Sequence, residues 1–350
     1  MRLDQLAVAA YRDGRRMVAP LLGYPGVQLT GSTIRQNTFN SELHARSLQA
    51  LAERFRPDLL FFMMNLSLEA GALGLPVRYP LQESASVEEH PVRRASDLEQ
   101  FRQIDPLADA LIQAHIDTMR RMKDLLPAGI LRGGYVVGPF TLAGLLMGAT
   151  SLALATVEQP ELVTEVVEFA RGVVEAYGRE LVKAGAQVIA ILEPTATFLS
   201  PAAFRKFAGR ADRQVIQALQ EESSRKAATA GEEVMTILHI CGDAGHLVEA
   251  MAETGAQGLS LDSDVDLAAA ARRVPADVVL VGNIDPVAVM GAGDQEAVAA
   301  AVEHLLEAMD PYPNFILSTG CDLPWNTPLA NVETFMRAGR GWRRQAGHDK

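Results

Sequence analysis

The chain has 350 residues, 48% hydrophobic and 21% charged, with a formal net charge of −11. This is an ordinary globular composition, long enough for one large α/β barrel or two smaller domains. No block of basic residues stands out, which argues against a nucleic-acid surface, and the acidic balance argues against anionic membranes. Two cysteines, Cys241 and Cys321, cannot make a disulfide framework in a chain of this size.

The N-terminus carries charge throughout, from Asp4 onward, and lacks the apolar core of a signal peptide. A cytoplasmic protein is expected. Residues 1–56 read as a helical or irregular extension of a single domain spanning 1–350. The first apolar run, DLLFFMMNL (58–66), reads as a strand, and so does ILRGGYVVG (130–138). Residues 133–157 contain no charged side chain and are long enough to span a bilayer. Five glycines and Pro139 interrupt them, so a buried strand followed by a small-residue helix is the expectation.

Further strands are read at AQVIAILEP (186–194), EVMTILHIC (233–241), GLSLD (258–262), VVLVGNI (278–284) and FILSTGC (315–321). They lack polar alternation, as strands covered on both faces do. Amphipathic helices lie between them, at 161–185 and 295–309 among others. Strand–helix alternation of this length means a parallel sheet. No G-x-G-x-x-G follows the first strand, which weakens a dinucleotide-binding reading. Polar residues instead mark the ends of several strands: Asn65 and Glu69, Glu193, His239 and Cys241, Asp262, Asn283 and Asp285, and Cys321. In a closed barrel these ends converge on one mouth. A (β/α)8 TIM barrel is the expected fold, with seven strands visible and the eighth either irregular or before residue 58.

His239 and Cys241 are two positions apart on a predicted strand, so their side chains share a face. Cys321 ends another strand, again beside a glycine. One imidazole and two thiolates suit zinc. Taken alone, His-x-Cys is a weak signal, because cysteine and histidine are often plain core residues. His44, His90, His115, His304 and His348 sit in polar or helical contexts, and His246 begins the helix after the motif. None of these is expected to bind the metal.

The runs HICGDAGHLVEAMAETGAQGLSLD, LVGNIDP and STGCDLPWNTPLANV resemble the uroporphyrinogen decarboxylase superfamily, as do VVGPFTLAGLLMG (136–148) and LSLEAGALG (66–74). Within it the chain is most similar to the cobamide-dependent methyltransferases, including methylcobamide:coenzyme M methyltransferases and O-demethylase components. The resemblance implies a (β/α)8 barrel and zinc on His239, Cys241 and Cys321. It also implies that a corrinoid (methylcobamide) is the methyl carrier. The Arg-Gln-Ala-Gly-Arg stretch with which the decarboxylases grip porphyrinogen carboxylates is missing; the nearest match is TIRQN (33–37). Asn65 stands where an acidic residue is expected. No Asp-x-His-x-x-Gly motif occurs, so the corrinoid would come on a partner protein.

Glu193 is either a fourth, displaceable zinc ligand with a catalytic role or a carboxylate capping a turn. Glu69 is either a catalytic acid contacting substrate or a helix cap. Asn283 and Asp285 either contact the cofactor or make a tight turn. Asp262 is placed to orient a ligand from behind. Two chemistries fit: a substrate thiol activated on zinc attacks a corrinoid methyl, or zinc polarises a methyl donor that gives its methyl to reduced cobalt. The readings kept beside these are a metal-free decarboxylase and a zinc that only staples strands.

Overall fold

The computed structural model describes residues 2–230 and 233–343, with side chains at 226–230 left aside. His348 lies outside the described residues. The strands in chain order are β1 (Met17–Val18), β2 (Leu59–Phe61), β3 (Val77–Arg78), β4 (Ser86–Val87), β5 (Leu131–Val137) and β6 (Val188–Leu192). They continue with β7 (Met235–Ile240), β8 (Gly258–Leu261), β9 (Val279–Ile284) and β10 (Phe315–Thr319). β3 and β4 make a short antiparallel ribbon. The other eight form one parallel sheet in the order β1-β10-β9-β8-β7-β6-β5-β2.

The two edges of that sheet meet at Asp58. Its N–H donates to the carbonyl of Val18 (2.9 Å), and its Oδ2 accepts from the Val18 N–H (2.8 Å). Its carbonyl also accepts from Leu131 on β5. The barrel is thus closed at a seam where a side chain replaces one missing ladder bond. The N-terminal segment, expected as an extension, therefore also supplies the eighth barrel strand. Two residues are too short a strand to leave a hydrophobic pattern.

The strands are apolar on both faces because both are covered. Every residue of β6, β7 and β10 is buried. Periodicity places Leu162, Val166, Phe169, Val173 and Tyr177 on one side of the helix Pro160–Ala184; all but the half-buried Phe169 are buried, and the helix packs on the helix Pro201–Ala230. Below the barrel the helix Leu3–Arg12 is anchored by the Leu3 N–H, which donates to Gln257 Oε1 (3.0 Å). The buried Arg16 guanidinium donates to the carbonyls of Met309 and Tyr312 (2.7 Å each) and lies over the rings of Tyr11 and Trp342.

The uncharged stretch 133–157 forms most of β5 and then two helices, Pro139–Met147 and Ala149–Glu158, bent by 105°. The first is buried almost throughout. Among the described residues no single helix is long and apolar enough to cross a membrane.

Candidate metal centre

β7 ends at Ile240 with His239 and Cys241 facing the mouth, and Cys321 follows β10 across the barrel. The His239 Nε2 lies 2.9 Å from the Cys241 Sγ and 3.9 Å from the Cys321 Sγ, and the two sulfurs are 3.5 Å apart. These three are the group of potential ligands within 4.8 Å of one another among the described residues. Tetrahedral zinc, at about 2.3 Å from sulfur and about 2.0–2.1 Å from nitrogen, sets ligand atoms roughly 3.5–3.8 Å apart. Two of the separations lie on or near that range, and a small rotation of Cys241 opens the third. The donor set fits the ion.

The backbone that makes this approach possible is specific. A Cβ on Gly320 would meet the Ser263 nitrogen at 2.6 Å, so only glycine lets Cys321 come in beside the loop after β8. Gly242, at φ +76°, turns the chain away directly after Cys241. Its N–H donates to Asp262 Oδ2 (2.8 Å), whose other oxygen accepts from the Ser263 N–H (2.6 Å). Thr197 donates to the Cys241 carbonyl (2.7 Å). Ser260 on β8 pairs with His239 Nδ1 (2.9 Å), which leaves Nε2 directed at the sulfurs. Asp262 was legible as a supporting residue. Ser260 was not, although it shares a strand face with Asp262.

A hydrogen bond from Cys241, supported by His239, holds the Cys321 thiol down despite burial. The same hydrogen bond, together with burial, pushes the Cys241 thiol up.

The remaining expected site residues divide differently. Both oxygens of the fully buried Glu193 are engaged by the helix Pro139–Met147. Oε1 accepts from the Phe140 N–H (2.8 Å), and Oε2 accepts from the Thr141 N–H (2.8 Å) and hydroxyl (2.7 Å). The structure does not bring Glu193 into the sulfur–imidazole group; it is a helix cap. Burial raises its carboxyl to about 7, and Asp212, equally buried beside it, is pushed well above the usual range by burial and by the Glu193 charge. Glu69 is also buried; its Oε1 accepts from the Val137 N–H at the end of β5 (2.8 Å), and burial lifts its carboxyl to about 7. Asn283 and Asp285 hold turns, the second of the two roles open to them. The Asn283 amide donates to the carbonyls of Asp262 and Val265, and Asp285 Oδ1 accepts from Val287 and Ala288. The described histidines other than His239 stay out of the group. His44, for example, accepts the Met63 N–H and His246 pairs with the Leu199 carbonyl.

Above the sulfurs opens a cavity of about 520 Å³, lined by both cysteines, the β3–β4 connection and residues 322–326. Tyr24 donates to the Met64 carbonyl and lies 3.2 Å from Ser84 Oγ, tying the loop after β1 to the end of β2 and the ribbon. Both oxygens of Asp322 and the hydroxyl of Tyr135 are sealed from solvent and lack a hydrogen-bond partner. The amides of Gly23 and Met64 lie beside Asp322, but neither bonds to it with ordinary geometry. Neither Asp322 nor Tyr135 was singled out from sequence; the only clue was that Asp322 follows Cys321.

The fold and this chemistry can be set beside known proteins. The chain is 27% identical over 283 residues to a methylcobamide:CoM methyltransferase (MtbA) of Methanosarcina acetivorans, covering 80% of this chain and 78% of that one. It is 25% identical over 315 residues to a uroporphyrinogen decarboxylase of Prochlorococcus marinus, covering 88% and 86%. Among solved structures, a methyltransferase from Methanosarcina mazei superposes with a TM-score of 0.82 at 23% identity, over 96% of this chain and 98% of that one. That likeness bears on the barrel alone. Residues 21–342, which include all the strands after β1 and the three candidate ligands, match the model of the uroporphyrinogen decarboxylase (URO-D) family, and the chain belongs to that family.

Proposed function

We propose that the protein is a zinc-dependent, corrinoid-dependent methyltransferase of the cytoplasm. It moves a methyl group between a corrinoid carried on a partner protein and a small-molecule thiol or methylated compound. The observation that carries this reading is the meeting of His239, Cys241 and Cys321 from two strands 80 residues apart, at the mouth of the barrel. The methylcobamide:CoM methyltransferase relative supports the class of reaction. The decarboxylase reading is weaker here, because no arginine or lysine lines the cavity to hold substrate carboxylates.

Bound zinc would supply positive charge that stabilises a substrate thiolate, or polarises a methyl donor, at neutral pH. The residues of the chain do the rest. His239, with Nδ1 held by Ser260, would present Nε2 to the ion. Cys241 and Cys321 bring two soft donors whose negative charge keeps a neighbouring sulfur electron-rich. Asp262 fixes the turn that carries Cys241. Met64, Leu66, Leu323 and Pro324 wall the cavity with apolar surface and limit water at the reacting atoms. The open mouth leaves room for a corrinoid face presented by another protein.

The test is metal analysis of the purified protein, followed by incubation with methylcobalamin and a panel of thiols and methyl ethers. The expected result is about one zinc per chain, with methylcobalamin consumed or formed and both properties lost in Cys241→Ala and Cys321→Ala. Full turnover in zinc-free protein would overturn the proposal.

A further inference from the structure

The cavity of about 520 Å³ over the three ligands is walled mainly by apolar side chains. It is larger than a two-carbon thiol needs and is of the size that holds a ring-bearing small molecule. No lysine, arginine or histidine is among its lining residues. Zinc held by two thiolates would add no net positive charge at the floor. An anionic group entering this space would lose its water and gain no cation. A cation gains little more. Asp322 borders the cavity with both oxygens sealed from solvent, and Glu83 is exposed on the β3–β4 connection, where water and salt screen it.

The aromatic part of the wall is fixed in place. Trp325 packs against a small buried cluster that includes Tyr24, Val27 and Ile34, and is half-buried where it lines the cavity. The Gln28 side chain donates to the carbonyls of Trp325 (2.7 Å) and Thr327 (2.9 Å), and the Leu323 N–H donates to the Leu21 carbonyl (2.9 Å). The β3–β4 connection is held in a similar way. The Ile34 N–H donates to Gln82 Oε1 (3.2 Å), the Arg35 N–H to the Leu81 carbonyl (3.2 Å) and Ser67 Oγ to the Ala85 carbonyl (3.1 Å). Walls tied down in advance lose little freedom when a ligand enters, so apolar contact converts more fully into affinity.

We propose that the cavity selects an uncharged substrate with an apolar, ring-sized body, and that Trp325 determines this specificity by stacking on that body. The inference rests on the methyltransferase reading for the role of the occupant. Its reacting atom sits over the three ligands while its body lies against Trp325.

The experiment is calorimetric titration of the zinc-loaded protein with phenylmethanethiol, 2-mercaptoethanol, 2-mercaptoethanesulfonate and 2-aminoethanethiol. All present an alkyl thiol to the ion and differ in the body behind it. Phenylmethanethiol is expected to bind about tenfold more tightly than each of the others. It is also expected to change the tryptophan emission, to which the other tryptophan, Trp342, stacked on Arg16 below the barrel, contributes no response. Trp325→Leu abolishes the emission change, weakens phenylmethanethiol about tenfold and leaves 2-mercaptoethanol within about twofold, with zinc content measured alongside. Asn326→Lys guards against a folding defect in that variant. Asn326 is an exposed lining position, and lysine there supplies the missing cation, so 2-mercaptoethanesulfonate gains roughly fivefold while phenylmethanethiol does not. A charged thiol that binds as tightly as phenylmethanethiol, a ring preference untouched by Trp325→Leu, or no gain for the sulfonate in Asn326→Lys overturns the proposal. Methyl transfer from methylcobalamin to the same thiols is scored separately. Transfer that favours 2-mercaptoethanesulfonate sinks the specificity and leaves the methyltransferase reading standing. A ring preference without any transfer does the reverse.

Discussion

Replacing Glu193 by glutamine separates a helix cap from a metal ligand. In the wild type three hydrogen bonds converge on this carboxylate, all from the first turn of the helix Pro139–Met147. Glutamine keeps one oxygen. Its amide group must then face either the Phe140 N–H or the Thr141 N–H and hydroxyl, and leaves a buried donor unpaired. One orphaned donor costs about 1–3 kcal/mol. The lost charge at a helix N-terminus adds roughly 0.3–1 kcal/mol. Relief of Asp212 from its charged neighbour offsets part of this, so the expected net loss is about 2 kcal/mol. Guanidinium unfolding at neutral pH measures it directly, and a competition titration with a chromophoric chelator measures zinc affinity in parallel. Stability should fall while zinc affinity changes by less than about threefold. An unfolding midpoint equal to wild type, together with zinc affinity lowered a hundredfold, would show that Glu193 leaves the helix to bind the ion, and the reasoning here would be wrong.

Ser260→Ala removes the partner of His239 Nδ1 and touches no ligand atom. Loss of such an orienting partner is expected to weaken zinc binding about 10- to 100-fold, and a change under threefold would remove Ser260 from the site. Glu69→Gln is predicted to change the pH dependence of stability. Burial raises the Glu69 carboxyl from 4.5 to about 7 in the native state, so its contribution is fully present below 4.5 and is lost as pH rises through 7. At 1.36 kcal/mol for each tenfold change in proton affinity, that displacement amounts to up to about 3 kcal/mol. Relative to Glu69→Gln, the wild type should lose roughly that much stability between pH 4.5 and pH 8 in urea titrations, and parallel curves would refute it.

What could be read from sequence follows from how local each role is. The strand with His239 and Cys241 announces itself, because a short, largely apolar run and a two-residue spacing are both properties of one segment. Cys321 needed the further idea of a closed barrel, in which the ends of β7 and β10 share a mouth. β1 could not be seen. Met17 and Val18 are a strand only because Leu317 and Asp58 lie on either side to bond them. Glu193 stays open between ligand and cap in the sequence for a related reason. Its run ends like a ligand-bearing strand, but the cradle for its carboxylate is built by Gly138, where a Cβ would come within 2.1 Å of Glu193 Cδ. Nothing within ten residues of Glu193 encodes that space.

The same logic sorts the acidic residues at the mouth, which look alike in sequence. Glu69 accepts one backbone N–H, Glu193 two, Asp262 two and Asp285 two. Each is committed to holding a turn or a helix end, and its charge is spent on the protein's own amides. Asp322 has none in bonding geometry, and burial together with the neighbouring Cys321 pushes its carboxyl well above the usual range. A carboxyl buried without donors is tolerated in a folded chain when it keeps its proton. The number of amides around a carboxylate, a property of how distant segments meet, therefore sorts the groups that build this mouth from the one left unpaired within it.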